Sequence, residues 1–263
     1  MSLDRNIVLA LCAHPDDAEL RCGGTLALLS RSGWEVHIAT LTAGDCGSVD
    51  EPPDVIAARR KSEASAAAAV FGGVYHCLGG KDLQVYDDNP TRSAAVALIR
   101  EIDPSFIITH YPVDYMIDHE VTSAVTRTAM FLAPIVNYAV GRAATTPPTK
   151  GMAPLYYFGP LGGTDYFGNT VSPHFCVDIS SVMDKKVEAL SCHESQREWL
   201  RRQHGIDHYV EEMKSWDADA GRLAGVDYAE GFFIHKGHAY PQTPILQDAL
   251  AEYVIKDLED VLK

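Results

Sequence analysis

The sequence predicts an α/β fold in which a mostly parallel β-sheet carries helices on both faces. Three observations support this prediction. The first is a continuous apolar run at residues 7–13, which is typical of a strand buried on both faces of a parallel sheet. The second is the alternation of strand-like and helix-like segments through the first half of the chain. The third is the length of 263 residues, which is enough for one large α/β domain with a sizeable core.

The first half of the chain contains four strand patterns that alternate with helix patterns. The first strand stops at a His-Pro-Asp-Asp sequence, and the Ala-rich helix at residues 54–71 is closed by two glycines, which commonly end helices. The predicted strands are residues 7–13, 34–41, 74–78 and 106–109, and the predicted helices are residues 24–32, 54–71, 91–102 and 118–132. Because strand–helix–strand units form right-handed crossovers, this half predicts a Rossmann-like sheet.

The second half is less regular. Residues 133–174 are rich in Pro and Gly and are interrupted by the apolar sequence Leu155-Tyr156-Tyr157-Phe158. We interpret this stretch as loops that face substrate, inserted into a single domain of residues 1–263. The remaining predicted elements are a strand at 175–179, a long helix at 182–202, a strand at 228–235 and a terminal helix at 245–262.

Charge and cysteine usage narrow the class of function. With 22 basic and 36 acidic residues the net charge is −14, which disfavours binding to nucleic acid or to an anionic membrane surface. No apolar run approaches the roughly 18–20 residues that span a bilayer, and the start of the chain lacks a signal-peptide pattern. The six cysteines are scattered without a CxxC pair, as expected of free thiols in a reducing compartment. We therefore expect a soluble, cytoplasmic, acidic α/β protein.

Two clusters of metal-type side chains follow predicted strands. His14-Pro15-Asp16-Asp17 comes directly after the first strand, and the segment from His110 to His119 comes directly after the fourth. In open α/β sheets, ligands bind beyond the carboxyl ends of the strands. Imidazole and carboxylate groups suit zinc or a similar divalent ion, and a catalytic zinc keeps three protein ligands and an open water position. Either cluster alone is equally typical of residues that cap loops and helices.

A dinucleotide site is the main competing interpretation of such a fold. It requires a Gly-x-Gly-x-x-Gly turn after the first strand, where the backbone approaches a pyrophosphate closely. This chain has His-Pro-Asp-Asp at that turn, and its two carboxylates would repel a pyrophosphate. The nucleotide interpretation is therefore weak.

Several short blocks of the sequence stand out. They are Ala13-His14-Pro15-Asp16-Asp17-Ala18-Glu19-Leu20, Gly23-Gly24-Thr25-Leu26, Leu41-Thr42-Ala43-Gly44-Asp45, Arg60-Lys61-Ser62-Glu63, Asp114-Tyr115, Asp118-His119, Lys186 followed by His193-Glu194-Ser195-Gln196, and Ala229-Glu230-Gly231-Phe232. Together these blocks resemble the PIG-L (LmbE-like) family of zinc-dependent N-acetylglucosaminyl deacetylases, and the pairing of His-Pro-Asp-Asp with a later Asp-His is the most specific of them.

The resemblance implies a role for each residue of the two clusters. His14, Asp17 and His119 would hold one Zn²⁺ or another first-row divalent ion per chain. Asp16 would act as the general base on the attacking water. Asp118 would orient an imidazole, or would simply cap the following helix.

The chain departs from the family pattern at Met116, where family members often carry a histidine thought to act as an acid or to stabilise the oxyanion. A thioether cannot donate a proton, so another donor is expected. We expect one of His110, His235 and His238 to replace it, and favour His238, which lies in a Gly-containing segment after the last strand. If none of them does, Asp16 would return its own proton or Tyr115 would serve.

Arg60 and Tyr115 are the expected substrate contacts. For Arg60 the alternative is an ion pair with Glu63 on the surface of its own helix. Four aromatic residues are candidates for a sugar-stacking wall, although a core strand explains the first two equally well. They are Tyr156, Tyr157, Tyr166 and Phe167.

The sequence therefore predicts a metal-dependent hydrolase that resembles PIG-L deacetylases and removes acetate from an N-acetylated sugar or glycoconjugate. The alternatives are an amidase acting on a related non-sugar or thiol-conjugate amide, and a metal-binding protein without catalysis. Relatives in the family are often multimers, so the resemblance allows a homo-oligomer. No nucleic acid or membrane partner is expected.

Overall fold

One eight-stranded sheet forms the centre of the molecule. The computed structural model describes residues 6–139, 146–204, 208–256 and 258. The strands are β1 (Ile7–Cys12), β2 (Glu35–Thr42), β3 (Val74–Gly80), β4 (Phe106–Thr109), β5 (Leu155–Phe158), β6 (Phe175–Asp178), β7 (Ala229–Ile234) and β8 (Val254–Ile255). They lie in the order β3-β2-β1-β4-β5-β7-β6-β8. Four of the seven neighbouring pairs in this order are parallel, so the predicted mostly parallel sheet is confirmed.

The sheet has a parallel half and an antiparallel half. Strands β3, β2, β1, β4 and β5 pair in parallel, whereas β7 pairs antiparallel to both β5 and β6, and β8 pairs antiparallel to β6. The carboxyl ends of β1 and β4 are therefore adjacent, which brings the segments after Cys12 and Thr109 together. In contrast, the end of β7 lies at the opposite edge, beside the start of β5.

Eight helices flank the sheet within the described residues. They are α1 (Asp17–Arg31), α2 (Pro53–Val70), α3 (Asn89–Ile102), α4 (Ile117–Leu132), α5 (Met183–Ser191), α6 (Glu194–His204), α7 (Tyr209–Ala224) and α8 (Ile245–Ala249). Alternate residues of β1 enter two separate apolar clusters. Val8 and Ala10 pack with residues of α1, α5 and α7, whereas Leu9 and Leu11 pack with α3 and α4. Helices thus cover both faces, as predicted.

The carboxyl-terminal third differs from the sequence prediction. The helix predicted at 182–202 is broken at Cys192 and His193 into α5 and α6, and α7 follows as an additional helix. The terminal helix predicted at 245–262 is also wrong over its described part, because only five residues are helical and Val254 and Ile255 pair with β6. Packing against the sheet outweighs helix propensity in this segment. The segments 1–5, 257 and 259–263 lie outside the described residues.

The stretch predicted as substrate-facing loops, residues 133–174, divides between the two edges of the sheet. Residues 133–139 and 146–154 connect the end of α4 to the start of β5, and Arg100 at the end of α3 donates hydrogen bonds to the carbonyls of Ala133 and Ile135. This part lies at the amino edge, away from the two clusters, and residues 140–145 lie outside the described residues. Only the connection after Phe158 starts at the carboxyl edge. In the part of the chain that the structure describes, no helix is long and apolar enough to cross a membrane.

Candidate active site

The two predicted clusters meet at the floor of one cavity. This cavity has a volume of about 440 Å³ and lies at the carboxyl edge of β1 and β4. Asp17 begins α1, and His119 lies in the first turn of α4, so both helices start at the site. The cavity is lined by His14, Asp16, Asp17, Leu20, Cys46, Gly47, Arg60, Asp82, Leu83, Tyr115, Met116, His119, Leu161, Gln196, Trp199, Leu200, Tyr209, Glu212 and Trp216.

Three donor side chains converge on this floor. His14 Nδ1 lies 3.6 Å from Asp17 Oδ2, and His119 Nε2 lies 3.5 Å from Asp17 Oδ1. One ligand atom from each of the three residues lies within 4.8 Å of the others, and all three residues are buried. Two imidazoles and one carboxylate facing a common cavity form a donor set suited to a first-row divalent ion.

The outer nitrogen of each imidazole is held by a carboxylate. His14 Nε2 lies 3.1 Å from Asp118 Oδ2, which also accepts a hydrogen bond from the Leu83 amide, and His119 Nδ1 lies 2.9 Å from Asp114 Oδ1. Such contacts fix the orientation of metal-binding imidazoles. Asp118 was expected in this position from the sequence. Asp114 was not, although it lies only five residues before His119 in the same cluster.

The electrostatics of the floor favour a bound cation. Burial opposes ionisation of Asp17, but the imidazoles of His119 and His110 outweigh it and hold the pKa of this carboxyl well below its usual range. Burial likewise opposes protonation of His14, yet its hydrogen bonds to Asp118 and Asp17 raise the pKa of that ring to about 10. The carboxylates thus stabilise positive charge at this point, and the same negative potential would stabilise a bound divalent ion. The residues present therefore fit a metal.

Two further groups of donors are less suited to a catalytic ion. His110 and Asp114 could join His119 around a metal, but neither of them lines the cavity. Asp45, Cys46 and Asp82 also lie together. Here, however, the Asp82 carboxylate accepts hydrogen bonds from the backbone amides of Gly44 and Cys46, and the Asp45 carboxylate accepts one from the backbone amide of Asp82. These carboxylate oxygens are therefore already engaged by the loop.

Asp16 stands beside the three donors in a constrained conformation. Its backbone is left-handed, with φ of 109°, which is unusual for a residue other than glycine. Its Oδ2 accepts a 2.6 Å hydrogen bond from the Tyr209 hydroxyl and lies 3.3 Å from Arg60 Nη2. Burial raises the pKa of Asp16, with Arg60 opposing this effect and Asp17 adding to it. Tyr209 has no local signal in the sequence that connects it to this site.

Arg60 lies in the cavity wall and does not pair with Glu63. Its Nη2 donates a 2.7 Å hydrogen bond to the Pro15 carbonyl in addition to its contact with Asp16. The neighbouring Arg59 makes the ion pair with Glu63 instead, at 3.2 Å. Arg60 is only 4% exposed, so its guanidinium is held against the loop that carries Asp16.

His110 lies behind the donors. It is 1% exposed, its ring stacks on that of His119 with centroids 4.1 Å apart, and its Nε2 accepts a hydrogen bond from the Ala13 amide. Burial, together with the charge of His119, lowers the pKa of His110 to about 4, so the ring is neutral at neutral pH. Because it does not line the cavity, His110 supports His119 and Asp17 from below.

His235 and His238 are not brought to the site. Since β7 runs antiparallel to β5, the residues that follow it emerge at the amino edge of the parallel strands. There the His235 amide donates to the Leu155 carbonyl, and His235 Nδ1 lies 2.7 Å from the Tyr157 hydroxyl. His238 is exposed and does not line the cavity. The expectation that His238 bends over the metal ligands is therefore wrong.

The mouth of the cavity is aromatic. Met116 lines it at the start of α4, and Tyr115 lies above His119 with an edge-on ring contact of 5.6 Å between centroids. Trp199, Tyr209 and Trp216 complete the wall from α6 and α7. These helices were not assigned to the site from the sequence.

The aromatic residues considered for the wall from sequence lie elsewhere. Tyr156 and Tyr157 are buried in β5 as core residues. Tyr166 and Phe167 are exposed and do not line the cavity, and the Tyr166 hydroxyl donates to Glu120.

Comparisons with known proteins agree with this geometry. The model of the family described as "PIG-L: GlcNAc-PI de-N-acetylase" matches residues 9–130, which include the His-Pro-Asp-Asp and Asp-His blocks. The "probable N-acetyl-alpha-D-glucosaminyl L-malate deacetylase 2" of Bacillus cereus is 31% identical over 205 residues, covering 73% of this chain and 84% of that protein. The "4-oxalmesaconate hydratase" of Pseudomonas putida is 24% identical over 245 residues, covering 90% of each chain.

A solved structure shares the fold over nearly the whole length. The "N,N'-diacetylchitobiose deacetylase" from Pyrococcus horikoshii superposes with a TM-score of 0.75 at 24% identity, covering 92% of this chain and 89% of that chain. Together with the 31% identity to the Bacillus cereus relative, the family match over the two blocks leads to one conclusion: this chain belongs to the PIG-L family.

Proposed function

We propose that this enzyme is a zinc-dependent N-deacetylase that releases acetate from an N-acetylglucosamine-type sugar or glycoconjugate. The observation that carries the proposal is the convergence of His14, Asp17 and His119 on a cavity floor beside Asp16, whose carboxylate lies next to the donors without joining them. Imidazole and carboxylate donors suit zinc, and another first-row divalent ion fits the same set.

The metal ion and the carboxylates around it have separate roles. When bound, the ion supplies a Lewis acid that polarises the acetamide carbonyl and lowers the pKa of the attacking water. His14, Asp17 and His119 hold it, while Asp118 and Asp114 keep both imidazoles oriented with their inner nitrogens facing Asp17.

Asp16 is the residue that transfers a proton from the attacking water to the leaving nitrogen. Tyr209 and Arg60 both hold its Oδ2, and among the described residues Oδ1 makes no hydrogen bond. We assign Oδ1 as the atom that accepts a proton from water as the oxygen adds to the amide carbon. The same proton then passes to the nitrogen as the C–N bond breaks, which yields the amine and acetic acid, and the acid then ionises to acetate.

This double use of Asp16 answers the question raised by Met116. With His238 at the other edge of the sheet and His110 beneath the donors, no histidine other than His14 and His119 lines the cavity in the part of the chain described here. Tyr115 is the remaining nearby hydroxyl, and with 67% of its surface exposed it is better placed to contact the sugar than to deliver a proton.

The walls favour a carbohydrate ring. Trp199 and Trp216 line the cavity, and aromatic faces pack well against the apolar faces of sugars. The deacetylases among the relatives carry names that refer to N-acetylglucosaminyl conjugates.

Free cysteines throughout the chain support a cytoplasmic location.

A hydratase is the second candidate. The observation that favours it is the match to 4-oxalmesaconate hydratase over 90% of both chains, together with a cavity in which, among the described residues, only His14 and His119 supply imidazoles. A hydratase also activates water, but it has no amine leaving group to protonate.

One substrate panel separates the two candidates. The zinc-loaded protein is incubated with N-acetylglucosamine, with N,N'-diacetylchitobiose and with 4-oxalmesaconate, and acetate is measured alongside loss or gain of the oxalmesaconate absorbance. We expect acetate from at least one sugar, at a rate that falls roughly 10²- to 10⁴-fold in Asp16→Asn. Turnover of 4-oxalmesaconate without release of acetate from any sugar would favour the hydratase and overturn the proposal.

A further inference from the structure

Three of the sequence blocks meet at a buried point close to Asp16. Glu19 lies in the first turn of α1, Arg60 lies on α2, and His193 lies at the break between α5 and α6. His193 Nε2 is 3.5 Å from Glu19 Oε2, and the two residues are 0% and 1% exposed. Neither Glu19 nor His193 lines the metal cavity, so neither contacts a substrate bound there.

The polar atoms at this point are incompletely satisfied. Neither ring nitrogen of His193 makes a hydrogen bond to a described residue, and the same is true of Glu19 Oε1 and Arg60 Nε. A buried polar group without a hydrogen-bond partner is costly to the fold. Replacing a buried ion pair by apolar side chains is often neutral or stabilising. Stability alone therefore does not account for the charged pair of Glu19 and His193.

The charge of His193 acts on Asp16. Burial opposes protonation of His193, but its contact with Glu19 and the charge of Asp16 raise the pKa of the ring above its ordinary value. Burial raises the pKa of Asp16, and the charges of Arg60 and His193 both oppose this effect. Two cationic residues thus act on Asp16, Arg60 by contact at 3.3 Å and His193 through its charge. Glu19 favours the charged form of His193.

The segment that carries His193 also holds the helix that carries Arg60. The Ser195 amide donates a 3.0 Å hydrogen bond to Glu63 Oε1, and the Ser195 hydroxyl donates one of 2.5 Å to Glu63 Oε2. Glu63 follows Arg60 by three residues on α2, which is about one helical turn. Residues 193–195 therefore connect the start of α1 to α2, and these are the two elements that supply Asp16 and its Arg60 partner.

We propose that Glu19 and His193 are a positioning pair for Asp16. The pair anchors the first turn of α1 and places a positive charge near the Asp16 carboxylate, which keeps that carboxylate in the orientation that the reaction uses. This proposal rests on the role of Asp16 in the proposed function. Glu19 and His193 themselves contact neither the substrate nor the transferred proton.

The first test is a comparison of kcat, KM and zinc content in the full-length zinc-loaded enzyme. Acetate release is measured from N-acetylglucosamine and from N,N'-diacetylchitobiose. Glu19→Gln and His193→Gln each remove one charge from the pair with little change in size. We expect each substitution to lower kcat about 10- to 100-fold, as when a reacting group is slightly misplaced, with KM and zinc content unchanged.

His37→Gln is the matched control for these variants. His37 is also a buried imidazole with a glutamate partner, since its Nε2 lies 2.9 Å from Glu35 Oε1. It lies near the amino end of β2, however, at the opposite edge of the sheet from the site. His37→Gln should therefore keep the wild-type kcat, and urea unfolding of all three variants measures the change in stability separately.

A double-mutant cycle with Asp16→Asn separates positioning from a general structural defect. In the Asp16→Asn background, Glu19→Gln and His193→Gln should cause no further fall in kcat, because the group that they position is already gone. A structural defect would instead multiply the loss that Asp16→Asn causes.

Four results would overturn the proposal and leave the deacetylase function intact. They are wild-type kcat in both Glu19→Gln and His193→Gln, an equal fall in kcat for His37→Gln, losses that multiply with that of Asp16→Asn, and failure of both variants to fold, which would make the pair purely structural. Absence of acetate from both sugars with the wild type would instead overturn the proposed function, and this proposal with it.

Discussion

The hydroxyl of Tyr209 donates a 2.6 Å hydrogen bond to Oδ2 of Asp16, across 193 positions of sequence. Arg60 Nη2 lies 3.3 Å from the same oxygen. One oxygen of this carboxylate is therefore fixed by two donors from α7 and α2, and the other is left for the reaction. The left-handed backbone of Asp16 directs its carboxylate toward these partners while Asp17, the next residue, faces the metal donors.

Removal of this hydrogen bond should slow the reaction without affecting the metal. In Tyr209→Phe we expect kcat to fall about 10- to 100-fold, because a hydrogen bond to a charged group contributes about 1.5–3 kcal/mol. KM and zinc content should be unchanged. Tyr240→Phe is the matched control, since its hydroxyl donates to the Arg127 carbonyl outside the cavity. Equal effects of the two substitutions on kcat would contradict the role given to Tyr209.

The two adjacent aspartates should separate into a base and a ligand. Asp16→Asn should keep its zinc and lose roughly 10²- to 10⁴-fold in kcat, as expected when a positioned base is removed. Asp17→Asn should lose zinc affinity as well, because the carboxylate between the two imidazoles is gone. Metal analysis by mass spectrometry after dialysis, paired with acetate release, measures both. Indistinguishable zinc contents would show that the roles are wrongly assigned.

The carboxylates behind the imidazoles should tune metal affinity. Asp114→Asn and Asp118→Asn should each weaken zinc binding or activity about 10- to 100-fold, which is typical when such a partner is removed. Asp219→Asn, at an exposed position on α7, is the control, because it is the same substitution away from the imidazoles. Competition with a fluorescent chelator gives the affinities. Wild-type affinity in both variants would show that these contacts do not orient the ligands.

Lys186 should contribute strongly to the stability of the fold, because it connects α5 to α7 and β7. Its ammonium is fully buried and pairs with Asp217 and Glu230, so Lys186→Met leaves two carboxylates without their cation. Breaking a buried ion pair in this way costs about 3–5 kcal/mol. The neighbouring Lys185 forms an exposed pair with Glu188, and Lys185→Met should change stability by less than about 1 kcal/mol. Urea unfolding of both variants tests this contrast, and similar midpoints would contradict it.

The sequence was sufficient for β1 to β4, four of the five strands of the parallel half, whereas β5 lies in the stretch that was interpreted as loops. The apolar run of β1 and the alternation that follows predict buried parallel strands, and they place the segments that carry His14 and His119 after neighbouring strands. Motif spacing then brings Asp16, Asp17 and Asp118 to the same edge. These inferences succeed because each depends on local pattern and on one topological rule.

The remainder of the site depends on contacts that local pattern does not reveal. Tyr209 reaches Asp16 only because α7 crosses the carboxyl edge, and nothing near Tyr209 in the sequence indicates this. His238 was misplaced because the direction of β7 cannot be read from its composition. An antiparallel strand delivers its carboxyl end to the opposite edge of the sheet.

The central claim is that His14, Asp17 and His119 hold one catalytic ion per chain. The most direct measurement is the rate of acetate release from N,N'-diacetylchitobiose as zinc is added back to the metal-free enzyme, with bound zinc determined in the same samples. The account predicts a rate that rises with bound zinc to one equivalent per chain and then levels off, with His119→Ala showing neither tight binding nor activation. Full activity in the metal-free enzyme, or undiminished tight zinc binding in His119→Ala, would contradict it.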